Sequence, residues 1–107
     1  MNNIDIGGRT TVNPADVILL VGDVNYTIVH YANGTKSIVA STLKSLEAKF
    51  VPHQFYRIHK SYLVNLNYAK RFFEASNYLQ MSNNQKVMVS RRRKLGLKKV
   101  FLSFEKA

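Results

Sequence analysis

Residues 55–65, FYRIHKSYLVN, admit few folds. Phe55, Tyr56, Ile58, Tyr62, Leu63 and Val64 can bury surface, whereas Arg57, His59 and Lys60 resist burial and sit where two apolar pieces meet. A short strand, a turn at His59-Lys60-Ser61 and a second strand satisfy both demands. The core then holds a basic turn at a fixed place on the surface. A second basic cluster, Ser90-Arg91-Arg92-Arg93-Lys94, is its natural companion.

The remaining chain reads as short strands separated by turn signals. Residues 1–8 are polar and end in Gly7-Gly8, which predicts a flexible lead-in, with the domain proper running over 9–107. Residues 9–12 are Thr-rich and predict a first edge strand. Asn13-Pro14-Ala15-Asp16 predicts a turn, because Pro fixes φ and Asn and Asp bond back to the backbone. Residues 17–21, VILLV, are continuously apolar and rich in β-branched residues, as a strand buried on both faces requires. Residues 26–31 alternate, and Asn33-Gly34 predicts a type I′ hairpin into a strand over 36–40.

Ser41 or Thr42 can cap a helix in which Leu43, Leu46 and Phe50 form one apolar stripe, with Lys44, Glu47 and Lys49 outside it. Val51-Pro52 is expected to end that helix, since the residue before Pro disfavours the α region. Strands are expected through 71–73, 78–81 and 86–89, the last two as a hairpin. From Ser90, a possible N-cap, Leu97, Val100, Phe101 and Phe104 recur at helical spacing. Gly96 costs such a helix ~1 kcal/mol relative to Ala, which leaves its continuity open.

With 107 residues the chain is one domain, mostly β with two short helices. It carries 16 Lys and Arg against 6 Asp and Glu, a net charge of +10. Only Glu74 and Glu105 lie beyond Glu47, so the C-terminal half is the basic half. That balance favours a polyanionic partner: nucleic acid first, anionic membrane or an acidic protein behind it. The absence of cysteine excludes a disulfide framework, Cys-type zinc sites and thiol catalysis. No run approaches the ~20 apolar residues of a membrane span, and the N-terminus has no apolar signal region. The expectation is a cytoplasmic protein without membrane contact.

Catalysis has no foothold in the sequence. The acids are scattered, and Asp16 and Asp23 fall in turn sequences where Asx bonding explains them. No nucleophile, base and orienting group are grouped, so no enzyme activity is expected. His30, His53 and His59 lack metal-ligand spacing, and neither a metal nor a cofactor is expected. His59 has two open readings: a side chain bonded to backbone within its turn, or a phosphate contact.

Cations at 91–94 oppose the dipole of the helix they begin. Arginine's planar fork matches phosphate oxygens and the O6/N7 edge of guanine, and helix N-terminal amides add to phosphate binding. A membrane-surface reading of RRRKLGLKKVFLSF competes poorly, because a small β domain needs that apolar face to cover a sheet. Most aromatics alternate with polar residues, as core packing requires. Tyr26, beside Asn25 and just after a loop, is the exception.

The sequence resembles the LytTR DNA-binding domain of bacterial transcription regulators. The resemblance rests on FYRIHKSYLVN at 55–65, Asn25-Tyr26-Thr27 upstream, Val89-Ser90-Arg91-Arg92 downstream and the helix over 43–50, and it covers roughly residues 9–104. It implies an elongated, mainly antiparallel β fold of small stacked sheets with short helices. It also implies duplex DNA binding through loops that enter successive major grooves, with a minor-groove contact between them. Carried over by position, Asn25 or Tyr26 supplies one major-groove contact. Lys60, flanked by His59 and Ser61, takes the middle position. Arg92, with Arg91 and after Ser90, supplies the second major-groove contact, while Arg57, Arg93 and Lys94 meet phosphates.

Repeated sites and a homodimer on DNA follow from the same resemblance. Many such domains follow a receiver domain of a two-component system. Here about eight residues precede the first expected strand, so a free-standing regulator or a piece of a longer one is expected. The competing functions are an adaptor whose basic face binds an acidic protein, and non-specific binding of single strands by exposed aromatics.

Overall fold

The computed structural model describes the backbone of residues 3–106 and the side chains of residues 3–103. A central five-stranded antiparallel sheet organises it. Its strands are β3 (Val17–Gly22), β4 (Thr27–Tyr31), β5 (Lys36–Val39), β6 (Phe55–His59) and β7 (Tyr62–Asn65), in the order β5-β4-β3-β7-β6. One face is covered by the hairpin of β1 (Ile4–Gly7) and β2 (Thr10–Val12) together with α1 (Leu43–Phe50). The other is covered by the three-stranded sheet of β8 (Ala69–Phe73), β9 (Tyr78–Met81) and β10 (Lys86–Met88) together with α2 (Arg91–Lys106). The stacked small sheets and short helices are those the sequence implied.

Strand β3 is buried on both faces, as its unbroken apolar run required. Val17 and Leu20 join one core, while Ile18 and Leu19 join the other. A bulge between Val17 and Leu19 against β4 puts two consecutive side chains on the same side. Strand β6 divides its residues more regularly. Phe55 and Arg57 point toward α1, and Tyr56 and Ile58 toward α2.

The expected lead-in over residues 1–8 is corrected by β1, in which Ile4 and Ile6 are buried and Ile6 is fully so. Gly7, Gly8 and Arg9 all take positive φ, so the two glycines make a tight reversal rather than a loose tail. Residues 1 and 2 lie outside the described residues.

The type I′ reading of Asn33-Gly34 is also corrected. Only Gly34 has positive φ, at 90°, and its N–H donates to the Tyr31 carbonyl at 3.0 Å while Tyr31 N–H donates to Thr35 at 2.9 Å. This is a type I turn followed by a left-handed residue. The β9–β10 hairpin repeats it, with Asn84 at φ 70°.

Helix α1 is capped by Thr42, whose hydroxyl accepts from Ser45 N–H at 3.2 Å. Val51 keeps helical angles despite preceding Pro52. The chain leaves α1 through a 3-10 turn over Val51–His53, and Gln54 at φ 68° ends it.

Helix α2 runs through Gly96 without a break. A Cβ there would overlap the Tyr56 hydroxyl, so this glycine allows close approach between helix and strand. Leu97 and Phe101 are buried and Val100 is half-buried. Phe104, expected on the same face, lies outside the described side chains.

Candidate nucleic-acid interface

Three separate chain segments meet at one basic edge. The first is the β3–β4 loop, residues 23–26. Asp23 N–H donates to the Tyr26 carbonyl at 2.8 Å, which closes the loop. The Asp23 carboxylate accepts from Val24 N–H at 2.7 Å. That bond and the nearby Tyr26 hydroxyl hold the Asp23 carboxyl below its ordinary range, and the same carboxylate raises the Tyr26 phenol. Asn25 and Tyr26 are both exposed.

The second segment is the β6–β7 turn. Gly22 N–H donates to the Ser61 carbonyl at 2.8 Å, so the first loop is fastened to this turn. His59 Nδ1 accepts from Ser61 N–H at 3.0 Å. Burial first, then Lys60 and Arg57, lowers the His59 pKa below its ordinary value, which favours the neutral ring that this bond needs. Of the two readings left open for His59, the turn-stabilising one has the geometry. Lys60 is exposed.

Arg57, expected to meet phosphate, also makes bonds inside the protein. Its Nε donates to the His59 carbonyl at 2.9 Å and its Nη2 to the Lys60 carbonyl. Its Nη1 meets Glu47 of α1 at 2.5 Å. The guanidinium thus ties α1 to both backbone carbonyls of the turn. An Arg fork can do this because its donors lie in one rigid plane.

The third segment is the start of α2. Ser90 is its N-cap, as the sequence predicted, with Oγ accepting from Arg93 N–H at 3.3 Å. Ser90 N–H donates to the Ile58 carbonyl at 2.9 Å and Arg93 Nη1 to the Arg57 carbonyl at 3.4 Å. These bonds fix the helix start against β6. Arg91 and Arg92 are exposed, and Arg93 and Lys94 are half-buried.

Two adjoining hollows connect the three segments. One, about 330 Å³, is bordered by Val24, Lys44, Arg57, Lys60 and Ser61. The other, about 490 Å³, is bordered by Lys44, Arg57, His59, Lys60, Arg92 and Arg93. Lys44, Arg57 and Lys60 line both, so the edge is continuous. A larger hollow of about 570 Å³, beside Thr10 to Asn13 and Tyr31, has no cation in its lining.

Lys44 and Glu47 were not assigned to the site from sequence, although both lie off the apolar stripe of α1. That position gave their exposure but not their neighbours, because α1 reaches the turn only through tertiary packing. Asp23 and Glu47 are the acids bordering the two hollows among the described residues, and Glu47 is paired. No described helix is long and apolar enough to cross a membrane.

Known proteins agree with this architecture. The LytTr DNA-binding domain of a methyl-accepting/DNA response regulator from Bacillus cereus superposes with a TM-score of 0.78 at 21% identity, covering 94% of this chain and 96% of that one. The CO-responsive transcriptional regulator RcoM of Rhodospirillum rubrum is 42% identical over 67 residues, which make up 61% of this chain and 28% of that regulator. This chain therefore spans less than a third of that relative's length. The LytTr DNA-binding domain family matches residues 7–102, nearly the whole chain, and the protein belongs to that family.

Proposed function

We propose that this domain binds duplex DNA sequence-specifically in transcriptional control. In this reading Asn25 or Tyr26 enters one major groove, and Arg92, with Arg91, enters the next. Lys60 lies over the minor groove between them. The observation that carries it is the continuous basic edge on which backbone hydrogen bonds fasten a loop to a turn and a helix start to the strand that leads into that turn. Preorganised donors bind without the entropy of ordering loops.

Electrostatics supports the same reading. Cations at the start of α2 are unfavourable for the helix alone, and a phosphate placed there relieves them and accepts from the helix amides. Arg93 and Lys94 are the phosphate contacts. Arg57 acts indirectly, by holding the Lys60 turn. Binding to repeated sites as a homodimer on DNA follows from the family and belongs to the proposal.

Selection of bound duplexes from a random pool tests it. A recovered consensus is expected. Arg92→Ala then weakens the consensus more than random DNA, by ~1–3 kcal/mol for a bidentate contact. Equal losses on both would remove Arg92 from base reading, and no consensus at all would overturn the function.

A further inference from the structure

Val24 is the most exposed large apolar residue described, at 83%. It joins neither core cluster. A lone exposed valine is ordinary on a protein surface. This one stands elsewhere: at the tip of a loop, among cations, bordering the hollow shared with Lys44 and Lys60.

The loop does not let it fold away. Gly22 N–H is bonded to Ser61 and Asp23 N–H to Tyr26, both at 2.8 Å, and Val24's own N–H is held by the Asp23 carboxylate at 2.7 Å. The backbone on both sides is fixed, and the isopropyl group is presented outward. Its β-branched side chain has little rotamer freedom left to lose on contact. A rigid apolar group at the point expected to enter a major groove has one apolar feature to meet there. That feature is the 5-methyl group of thymine.

We propose that Val24 is a specificity-determining residue that packs on a thymine 5-methyl group. The inference rests on the duplex-binding function above and adds a base identity to it. Asn25 follows directly, and its amide can read the N6/N7 edge of adenine. Together the loop tip selects an A·T-containing step, with the apolar and polar halves of the readout on adjacent residues.

Thymine-to-deoxyuridine replacement isolates the contact, because it deletes the methyl group and leaves every hydrogen-bonding edge intact. The consensus duplex is prepared with each thymine replaced in turn, and affinities are measured for the native protein and for Val24→Ala. The native protein is expected to lose about fourfold at one thymine, the worth of one buried methyl group. Val24→Ala is expected to bind the unmodified consensus at least that much more weakly and to ignore replacement at the same thymine. Val24 is exposed and outside both cores, so the variant folds; an unchanged urea midpoint verifies this.

If the native protein binds its consensus specifically yet no thymine replacement matters, the Val24 inference is overturned and the duplex reading stands. If Val24→Ala loses the same factor as the native protein at the sensitive thymine, another residue reads that methyl group and the inference is again overturned. If no consensus exists, both fall together.

Discussion

Gly96→Ala sets two well-defined effects against each other. Replacing glycine inside a helix stabilises by ~1 kcal/mol through helix propensity. Here the added methyl group meets the Tyr56 hydroxyl, with the ring Cζ next at 3.4 Å. Tyr56 is half-buried in a strand whose neighbour Ile58 is fully buried, so the ring has little room to move. Overpacking of this kind costs ~1–3 kcal/mol. The overlap outweighs propensity, and a net loss of ~0–2 kcal/mol is expected.

Tyr56→Phe removes the overlapping oxygen and leaves the ring carbon at ordinary contact distance. In that background Gly96→Ala should stabilise by ~1 kcal/mol. The sign of the glycine substitution therefore reverses, and the double-mutant cycle gives a coupling of ~1–3 kcal/mol. Urea unfolding of the four proteins measures this, provided the m-value stays constant. A stabilising Gly96→Ala in the native background would refute the close-approach argument.

The other expectations concern charge. Glu47→Ala releases Arg57 from α1 and loosens the Lys60 turn, so the ratio of specific to random DNA affinity should fall several-fold while random binding holds or rises; an equal rise on both would mean that Glu47 matters only as a charge. Lys94→Ala should weaken both kinds of DNA alike and flatten the salt dependence by about one unit; an unchanged slope removes it from the phosphate contacts. Burial, then Lys36, lowers the His30 pKa, and burial, then Lys60 and Arg57, lowers that of His59. Both groups favour the folded state when neutral, so stability is full above the unfolded value of about 6.5 and is lost as pH falls through the lower folded values. Unfolding midpoints from pH 7.5 to 5 should decline in the native protein and flatten in a His30→Gln, His59→Gln variant.

Much of the fold was legible because strands and helices leave local periodicities. The VILLV run gave β3, the stripe Leu43, Leu46 and Phe50 gave α1, and Ser90 gave the start of α2. Errors arose where a residue's partner is distant in sequence. Ile4 and Ile6 read as part of a polar tail because the helix and strands that bury them come later. Gly96 read as a possible break because Tyr56, its reason for being small, lies on strand β6, forty residues earlier in the chain. Arg57's ties to Glu47 and to the two turn carbonyls were missed for the same reason, since none of these partners is legible as its neighbour in the sequence. Asn33 and Val51 show the other kind of error, in which a dipeptide rule names a tendency and the surrounding hydrogen bonds select differently.

Strand β6 is the last strand of the central sheet, and the start of α2 lies against it. An uncovered strand of aromatic and β-branched residues is a template on which a second chain can add. Ser90 N–H takes the Ile58 carbonyl, and Arg93 takes that of Arg57. The helix that presents the arginines is therefore also the guard of an adhesive border. Damage to the Ser90 cap should bring self-association along with weaker binding, and solubility should track the docking of α2.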